Sequence, residues 1–302
     1  MKGNYKRERI IALRIFIFFA SIYFFSASFN FYSIDAGMLR IELARSIVER
    51  LDFNIPEGMG IKGMDGRDYS WVGIGSALLA VPFFIVAKAL GGNPEISIAI
   101  MNLIFGAGTC VLVYLFSISL GYSIRASVLT SIFFGLGTFV WPLAKHPFDH
   151  IVETFFILLT VYTAYHYLNG KRVLYLLISA FSLGFAFITR QTSILIIPPL
   201  LIMAIYHYQK DSLKKNIGLL FKDIVLWSLV FLPFLIIFFW YNYYRFGSIF
   251  ETGYQLGASR IGLKLYGETP FLTGITGYLI SPSKGFFYYS PIAILFFFSI
   301  KN

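Results

Sequence analysis

The run from Trp71 to Leu90, WVGIGSALLAVPFFIVAKAL, decides how the rest of the chain is threaded through a bilayer. If it crosses, every later loop changes side. Lys88, Gly73, Gly75 and Pro82 within it suit a segment lying against protein rather than lipid. Charge settles the choice. With this run kept on one side, the N-terminus, Arg14, Arg125, Lys171, Arg172, the 210–222 loop and Lys301 fall together. They bring 13 bases against three acids (Glu8, Asp211, Asp223), which is the whole formal net charge of +10. The opposite side then holds 12 bases and 12 acids. Cytoplasmic loops are the ones enriched in Lys and Arg, so the basic side is the inner one. If the run crosses, the bases divide about evenly and the rule fails. We therefore read Trp71 to Leu90 as an interfacial or re-entrant helix on the outer face.

Composition supports a membrane setting. Of 302 residues 57% are hydrophobic and 19% aromatic, with 34 Phe, and only 13% are charged; this excludes an ordinary soluble domain. Ile10 to Asn30 would make a helix about 31 Å long, matching a hydrocarbon core of about 30 Å. Lys2, Lys6, Arg7 and Arg9 precede it and no small-residue cleavage site follows, so it reads as a retained anchor. Further apolar runs cover Ile96 to Ile118, Ala126 to Pro142, His150 to Leu168, Val173 to Thr189, Gln191 to Tyr208, Ile224 to Tyr244 and Phe286 to Ile300. The expectation is an all-α polytopic membrane protein of about eight transmembrane helices, forming a single transmembrane domain over 1–302. Residues 31–95 form a first outer loop with interfacial helices, and 245–285 a later outer loop. The single Cys110 lies in an apolar run and excludes an intramolecular disulfide. The basic excess follows from topology, so no nucleic-acid role is read from it.

Ala36 to Leu51 places Leu39, Leu43, Ile47 and Leu51 at a spacing of four, with Arg40, Glu42, Arg45, Ser46, Glu49 and Arg50 between them. This pattern predicts an amphipathic helix lying in the interface. Gly58-Met-Gly60-Ile-Lys-Gly63 formally fits G-x-G-x-x-G, but with no strand expected before it and no βαβ unit around it the dinucleotide reading is discarded.

The central turns of the spans carry almost no ionisable residues, whereas ion-coupled transporters place acids or histidines there. The polar residues gather at the outer edge instead. Asp35 follows the first span and opens a polar stretch reaching Tyr69; it is either a general base or simply the start of the polar flank. His146, Asp149, His150 and Glu153 recur at i, i+3, i+4 and i+7, so a helix there would put two imidazoles and two carboxylates on one face. That set could hold a divalent metal. The alternative is a helix start with Asp149 at its N-terminus and interfacial histidines. Arg190 separates two apolar runs across a very tight turn. A cation there suits phosphate through bidentate hydrogen bonds, or it snorkels to lipid headgroups.

Taken in order, Ser33-Ile-Asp35, Tyr69-Ser-Trp-Val-Gly-Ile-Gly-Ser-Ala-Leu-Leu-Ala-Val-Pro82, Trp141-Pro142, Thr189-Arg190, Asn242-Tyr-Tyr-Arg-Phe-Gly247, Thr252-Gly-Tyr254, Ser281-Pro-Ser-Lys-Gly285 and Tyr289-Ser-Pro291 resemble the GT-C type membrane glycosyltransferases. The closest resemblance is to the lipid-carrier-dependent branch that includes protein O-mannosyltransferases and aminoarabinose transferases. It covers nearly the whole chain from Ile10 to Pro291. It implies inverting transfer of a sugar from a polyprenyl-phosphate donor to an acceptor hydroxyl at the outer face of the cell membrane. Asp35 would be the catalytic base. Arg190, with Lys284 and Arg245, would meet the donor phosphate. Asp149 would be a second acid, and Tyr69, Asn242, Glu251 and Tyr254 would contact substrate. The acceptor is left open, and a divalent metal enters only through the 146–153 residues. Relatives usually continue with further spans and often an outer C-terminal domain, so the expectations are a fragment (the N-terminal part of a longer enzyme), a truncated gene product or a short member of the family. The competing class is a lipid-linked glycan transporter or a non-catalytic polytopic membrane protein; it predicts essential polar residues through the bilayer, not at one edge.

Overall fold

The structure is a computed structural model; it describes residues 2–27, 29, 35–209, 213–260, 270–283, 285–294 and 297–298. Its helices are α1 (Lys2–Ser26), α2 (Asp35–Arg50), α3 (Gly75–Ala89), α4 (Pro94–Ser119), α5 (Ile124–Leu136), α6 (Val140–Ala144), α7 (His150–Gly170), α8 (Val173–Thr189), α9 (Ile197–Gln209), α10 (Leu213–Phe246), α11 (Tyr254–Arg260), α12 (Phe271–Ile280) and α13 (Phe286–Tyr289). Between α2 and α3 lie three two-residue strands, β1 (Asn54–Ile55), β2 (Ile61–Lys62) and β3 (Asp68–Tyr69), in the antiparallel order β1-β3-β2.

The chain is an integral membrane protein. Five helical segments are long and apolar enough to span a bilayer: Lys6–Ser26, Glu95–Ser119, His150–Gly170, Gln191–Gln209 and Ile217–Phe246. Two other expected spans are shorter helices. In the Ala126 to Pro142 run, α5 stops at Leu136, Gly137 N–H donates to Phe133 O at 2.8 Å to close the helix, and α6 follows as a separate turn. The Val173 to Thr189 run is the 17-residue α8. The Phe286 to Ile300 run falls partly outside the described residues and begins as the four-residue α13. The deciding segment, α3, has 15 residues, about 22 Å at 1.5 Å per residue and short of the hydrocarbon thickness.

The chain divides into two compact units, one formed by Met1–Ser33, Ala99–Ile151 and Tyr254–Asn302, the other by Ile34–Ile98 and Val152–Gly253. In the first, small residues let helices approach closely. A Cβ on Gly135 would lie 2.2 Å from the Phe19 ring, and one on Gly106 would lie 2.7 Å from Ala144 Cβ. The buried Tyr23 hydroxyl donates to Gly135 O at 3.0 Å and lies 3.4 Å from the buried Cys110 thiol. Trp141 Nε1 donates to Ser26 Oγ at 3.0 Å.

In the second unit α8 packs along α10, where Gly184 gives way to Phe234 and Phe187 meets Phe231 and Phe238. Helix α2 packs on α3, with Lys88 Nζ 2.9 Å from Glu49 Oε1. This corrects the expectation of an interfacial helix with one wet face. Arg40 is 3% and Glu42 6% exposed, and exposure returns only at Glu49 and Arg50. Charge inside α2 is compensated locally, because Arg45 pairs with Glu42 and reaches Glu95 at 3.2 Å. The strands correct a second expectation. A strand does precede the Gly58–Gly63 stretch, but it belongs to an antiparallel ribbon and no helix follows, so the dinucleotide context is still missing.

Candidate active site

Helix α8 ends at Thr189 and the next residue, Arg190, is extended (φ −146°, ψ 120°). Its N–H still bonds Ala186 O at 2.7 Å, and a 3-10 turn over Gln191–Ile196 begins at once, with Ser193 N–H returning to Arg190 O at 3.0 Å. One extended residue between two helical segments fixes the tight turn. Arg190 Nε lies 3.1 Å from Glu153 Oε2, with side chains 27% and 13% exposed. Glu153, in the first turn of α7, also accepts from Ser193 Oγ at 2.7 Å and Thr192 Oγ1 at 3.4 Å. The carboxylate thus orients the guanidinium through a charge-assisted contact. The sequence placed both residues at one edge, but it grouped Glu153 with the histidines and gave no sign of this pairing.

The end of α8 is met by the glycines of the Tyr69 to Pro82 motif. A Cβ on Gly73 would stand 2.3 Å from Thr189 O, and one on Gly75 would stand 2.3 Å from Thr189 Oγ1. Glycine is needed at both positions for close backbone approach.

Tyr69, Asn242, Arg245 and Glu251 are brought into one neighbourhood at the end of α10. Arg245 is 2% exposed. It donates to Ser70 O, to Asn242 Oδ1 at 2.8 Å and to Tyr241 O at 3.2 Å, and its guanidinium carbon lies 3.8 Å from the Tyr241 ring centroid. A phosphate cannot reach a guanidinium so enclosed. Arg245 is therefore corrected from donor ligand to a clamp holding the β3 end against α10. Asn242 Nδ2 donates to Ile249 O at 3.0 Å, and Glu251 Oε1 accepts from Gly253 N–H at 2.7 Å, so both shape the turn after α10.

Sequence reasoning missed the acidic ribbon beside this clamp. Tyr69 Oη donates to Asp65 Oδ2 at 2.8 Å, Arg67 bonds both Asp65 and Asp52, and Tyr244 Oη donates to Asp52 at 3.2 Å. Burial pushes the Asp65 carboxyl up, but hydrogen bonds from Arg67 and Tyr69 outweigh it and hold it below the usual carboxylate range. Asp52 behaves alike, with the Phe53 N–H and Arg67 opposing burial. Burial, with the Asp65 bond, pushes the Tyr69 phenol up, so it stays a donor.

In the other unit, Asn102 of α4 is 1% exposed and its Nδ2 donates to Phe148 O at 2.8 Å and to His146 O, fixing the 146–148 segment. His150 Nδ1 lies 3.3 Å from Asp149 Oδ1, and the Asp149 side chain is fully buried. Burial and then the Lys145 charge push the His146 imidazole below its ordinary value. The expected helical face over 146–153 does not form, because α7 begins only at His150. Pro147 is the reason: the residue before a proline is steered out of the helical region. Among the described residues no group of three or more His, Cys, Asp or Glu side chains is placed to hold a metal ion. Tyr254 opens α11 and is 36% exposed. Asp35 is the first residue of α2, but its side chain, like all of Lys284, lies outside the described residues.

Residues 79–237, just over half the chain, match the family described as dolichyl-phosphate-mannose-protein mannosyltransferase. The chain belongs to this mannosyltransferase family. The match includes Arg190, Glu153 and the 146–150 residues; Asp35 and the Arg245 clamp lie outside it. The fold is similar to that of the Archaeoglobus fulgidus oligosaccharyltransferase in its apo form, a GT-C-like neighbour, with a TM-score of 0.58 at 16% sequence identity. That likeness covers 94% of this chain but only 39% of the archaeal one. None of the curated proteins matches. Of the ordered motifs, Trp141-Pro142 and Thr189-Arg190 lie wholly inside the residues matched to this mannosyltransferase family.

Proposed function

We propose that the chain transfers a sugar from a polyprenyl-phosphate-linked donor to an acceptor hydroxyl at the outer membrane face, with inversion. The supporting observation is the Arg190–Glu153 pair at the end of α8, inside the family-matched residues. The donor is first sought among mannosyl lipids, following the family description. In a single displacement the acceptor oxygen bonds to the anomeric carbon as the bond from that carbon to the phosphate oxygen breaks. The hydroxyl proton passes to Asp35, which acts as general base. The carrier lipid leaves as its phosphate, and the charge gained there meets Arg190, held in place by Glu153. Tyr69, Asn242, Glu251 and Tyr254 shape the substrate side, and Lys284 is a second cation for the phosphate. Asp149, 3.3 Å from His150, is the second acid of the proposal.

The proposed topology adds α5, α8 and the last apolar run to the five long spans, giving eight, with the N-terminus cytoplasmic and α3 on the outer face. Single cysteines at Lys62 and Lys145 should then react with an outside label while one at Ser212 is protected. The reaction is tested with purified protein and a panel of polyprenyl-phosphate sugars, comparing the parent with Asp35→Asn. Loss of a general base costs about 10² to 10⁴ in rate. Undiminished transfer by Asp35→Asn would sink the assignment.

A further inference from the structure

At the other end of α8 from Arg190, helices α7, α8, α9 and α10 surround a cavity of about 310 Å³. That is ligand-sized, since small-molecule sites run from roughly 300 to 1,000 Å³. Its wall is apolar, with Leu176, Leu200, Ala204, Trp227 and Phe231 among the lining side chains. Leu201 and Ile224 also line it and are each 39% exposed, so it is reached between α9 and α10 from outside the helices. One end is polar. Tyr208 Oη donates to Asp223, and Lys171 Nζ donates to Tyr208 Oη at 2.7 Å and lies 5.1 Å from the Tyr167 ring centroid.

Two further features mark that end. Lys171 has φ 52°, a left-handed conformation that favours glycine, although Gly170 is adjacent and a glycine at 171 would be unstrained. Its N–H bonds Tyr167 O at 2.6 Å, so this is the left-handed residue that closes α7. Arg172 and Lys222 are exposed, and Asp223 is engaged by Tyr208. An apolar chamber open to the side with a cationic mouth matches a lipid whose tail is aliphatic and whose headgroup is anionic.

We propose that this cavity binds one acyl chain of an anionic glycerophospholipid, its headgroup phosphate resting on Lys171 and Arg172. The headgroup end of the site is separate from the transfer chemistry, because Lys171 precedes α8 and Arg190 follows it, and the helix from Val173 to Thr189 is about 24 Å long at 1.5 Å per residue. It does not depend on the proposed reaction. A polyprenyl phosphate has a similar chemistry, but the basic cluster places a headgroup at this end, not the far end of a long tail.

The test is retained lipid, counted by native mass spectrometry. Delipidated full-length protein is incubated separately with phosphatidylglycerol, phosphatidylcholine and polyprenyl phosphate. Phosphatidylglycerol is expected to be retained about tenfold over phosphatidylcholine. Ala204→Trp, which fills the chamber, should cut its retention about tenfold at unchanged lipid-free melting temperature. Lys171→Gly suits the backbone at φ 52° and removes the ammonium; it should abolish the preference for phosphatidylglycerol without lowering that melting temperature. If Ala204→Trp does not fold, Lys171→Gly decides alone. Equal retention of phosphatidylcholine, parental retention by either folded variant, or displacement of phosphatidylglycerol by polyprenyl phosphate would each overturn the proposal.

Discussion

Arg190 Nε and Glu153 Oε2 stand 3.1 Å apart, joining the single extended residue after α8 to the first turn of α7. Ser193, three residues past Arg190, donates to the same carboxylate from the 3-10 turn. Removing the guanidinium in Arg190→Ala should lower kcat by about 10² to 10³, the scale for one preorganised donor at a developing charge. Glu153→Gln keeps the shape but loses the charge pairing, and should lower kcat by about tenfold with little change in KM. A raised KM with kcat unchanged, measured with a polyprenyl-phosphate mannose donor, would move both residues from the transition state to ground-state binding.

Gly73→Ala should destabilise the second unit. The new methyl would lie 2.3 Å from Thr189 O, a backbone atom that has no rotamer to yield. Overpacking of this kind costs about 1–3 kcal/mol. Thermal unfolding in detergent should show a lower midpoint for Gly73→Ala and none for Gly170→Ala, where no atom lies within 4 Å.

Arg245→Lys should fail to restore what Arg245→Ala removes. The guanidinium serves Ser70 O, Asn242 Oδ1 and Tyr241 O together while lying on the Tyr241 ring, and an ammonium cannot copy that fork. Each buried acceptor left unpaired costs about 1–3 kcal/mol. Limited proteolysis between Asp52 and Ser70 should speed up in both variants.

The β-ribbon should loosen in acid. Asp52 and Asp65 are held below the ordinary Asp value of about 3.9, so their contribution is complete above that pH and is lost as pH falls through the lowered folded values. Exchange of the Gly63 N–H, bonded to Arg67 O at 2.8 Å, should stay slow from neutral pH to about 4 and then quicken relative to the rest of the chain on further acidification. Acid-independent protection would remove the carboxylates from the ribbon's stability.

Much of the fold was legible because apolar runs and loop charge obey physical rules that need no partner. The α2 spacing located a helix correctly, yet its hydrophobic pattern could not reveal that Arg40 and Glu42 are also enclosed, since their burial depends on what packs against them. Two-residue strands are too short to show an alternation, so β1 to β3 had no readable signature. Pro147 was in plain view, and giving it its proper weight would have ended the 146–153 helix before it began. Asn102 had a weaker signal, a lone amide in an apolar run, which membrane helices keep when it bonds across to a neighbour. The pairing of Arg190 with Glu153 and the enclosure of Arg245 depend on tertiary geometry alone.

The contact of Gly73 with the Thr189 and Ile188 carbonyl oxygens leaves no side chain between the segment entering α3 and the last turn of α8. Two backbones touching without a cushion behave as a mechanical stop. Glu153 holds the guanidinium of Arg190, whose anchor point cannot travel unless α3 travels with it. Any cycle of loading and release that needs the Arg190 turn to shift must therefore shear α3 over its bed as one rigid body, and the natural place to watch turnover is a label on α3, not on the arginine.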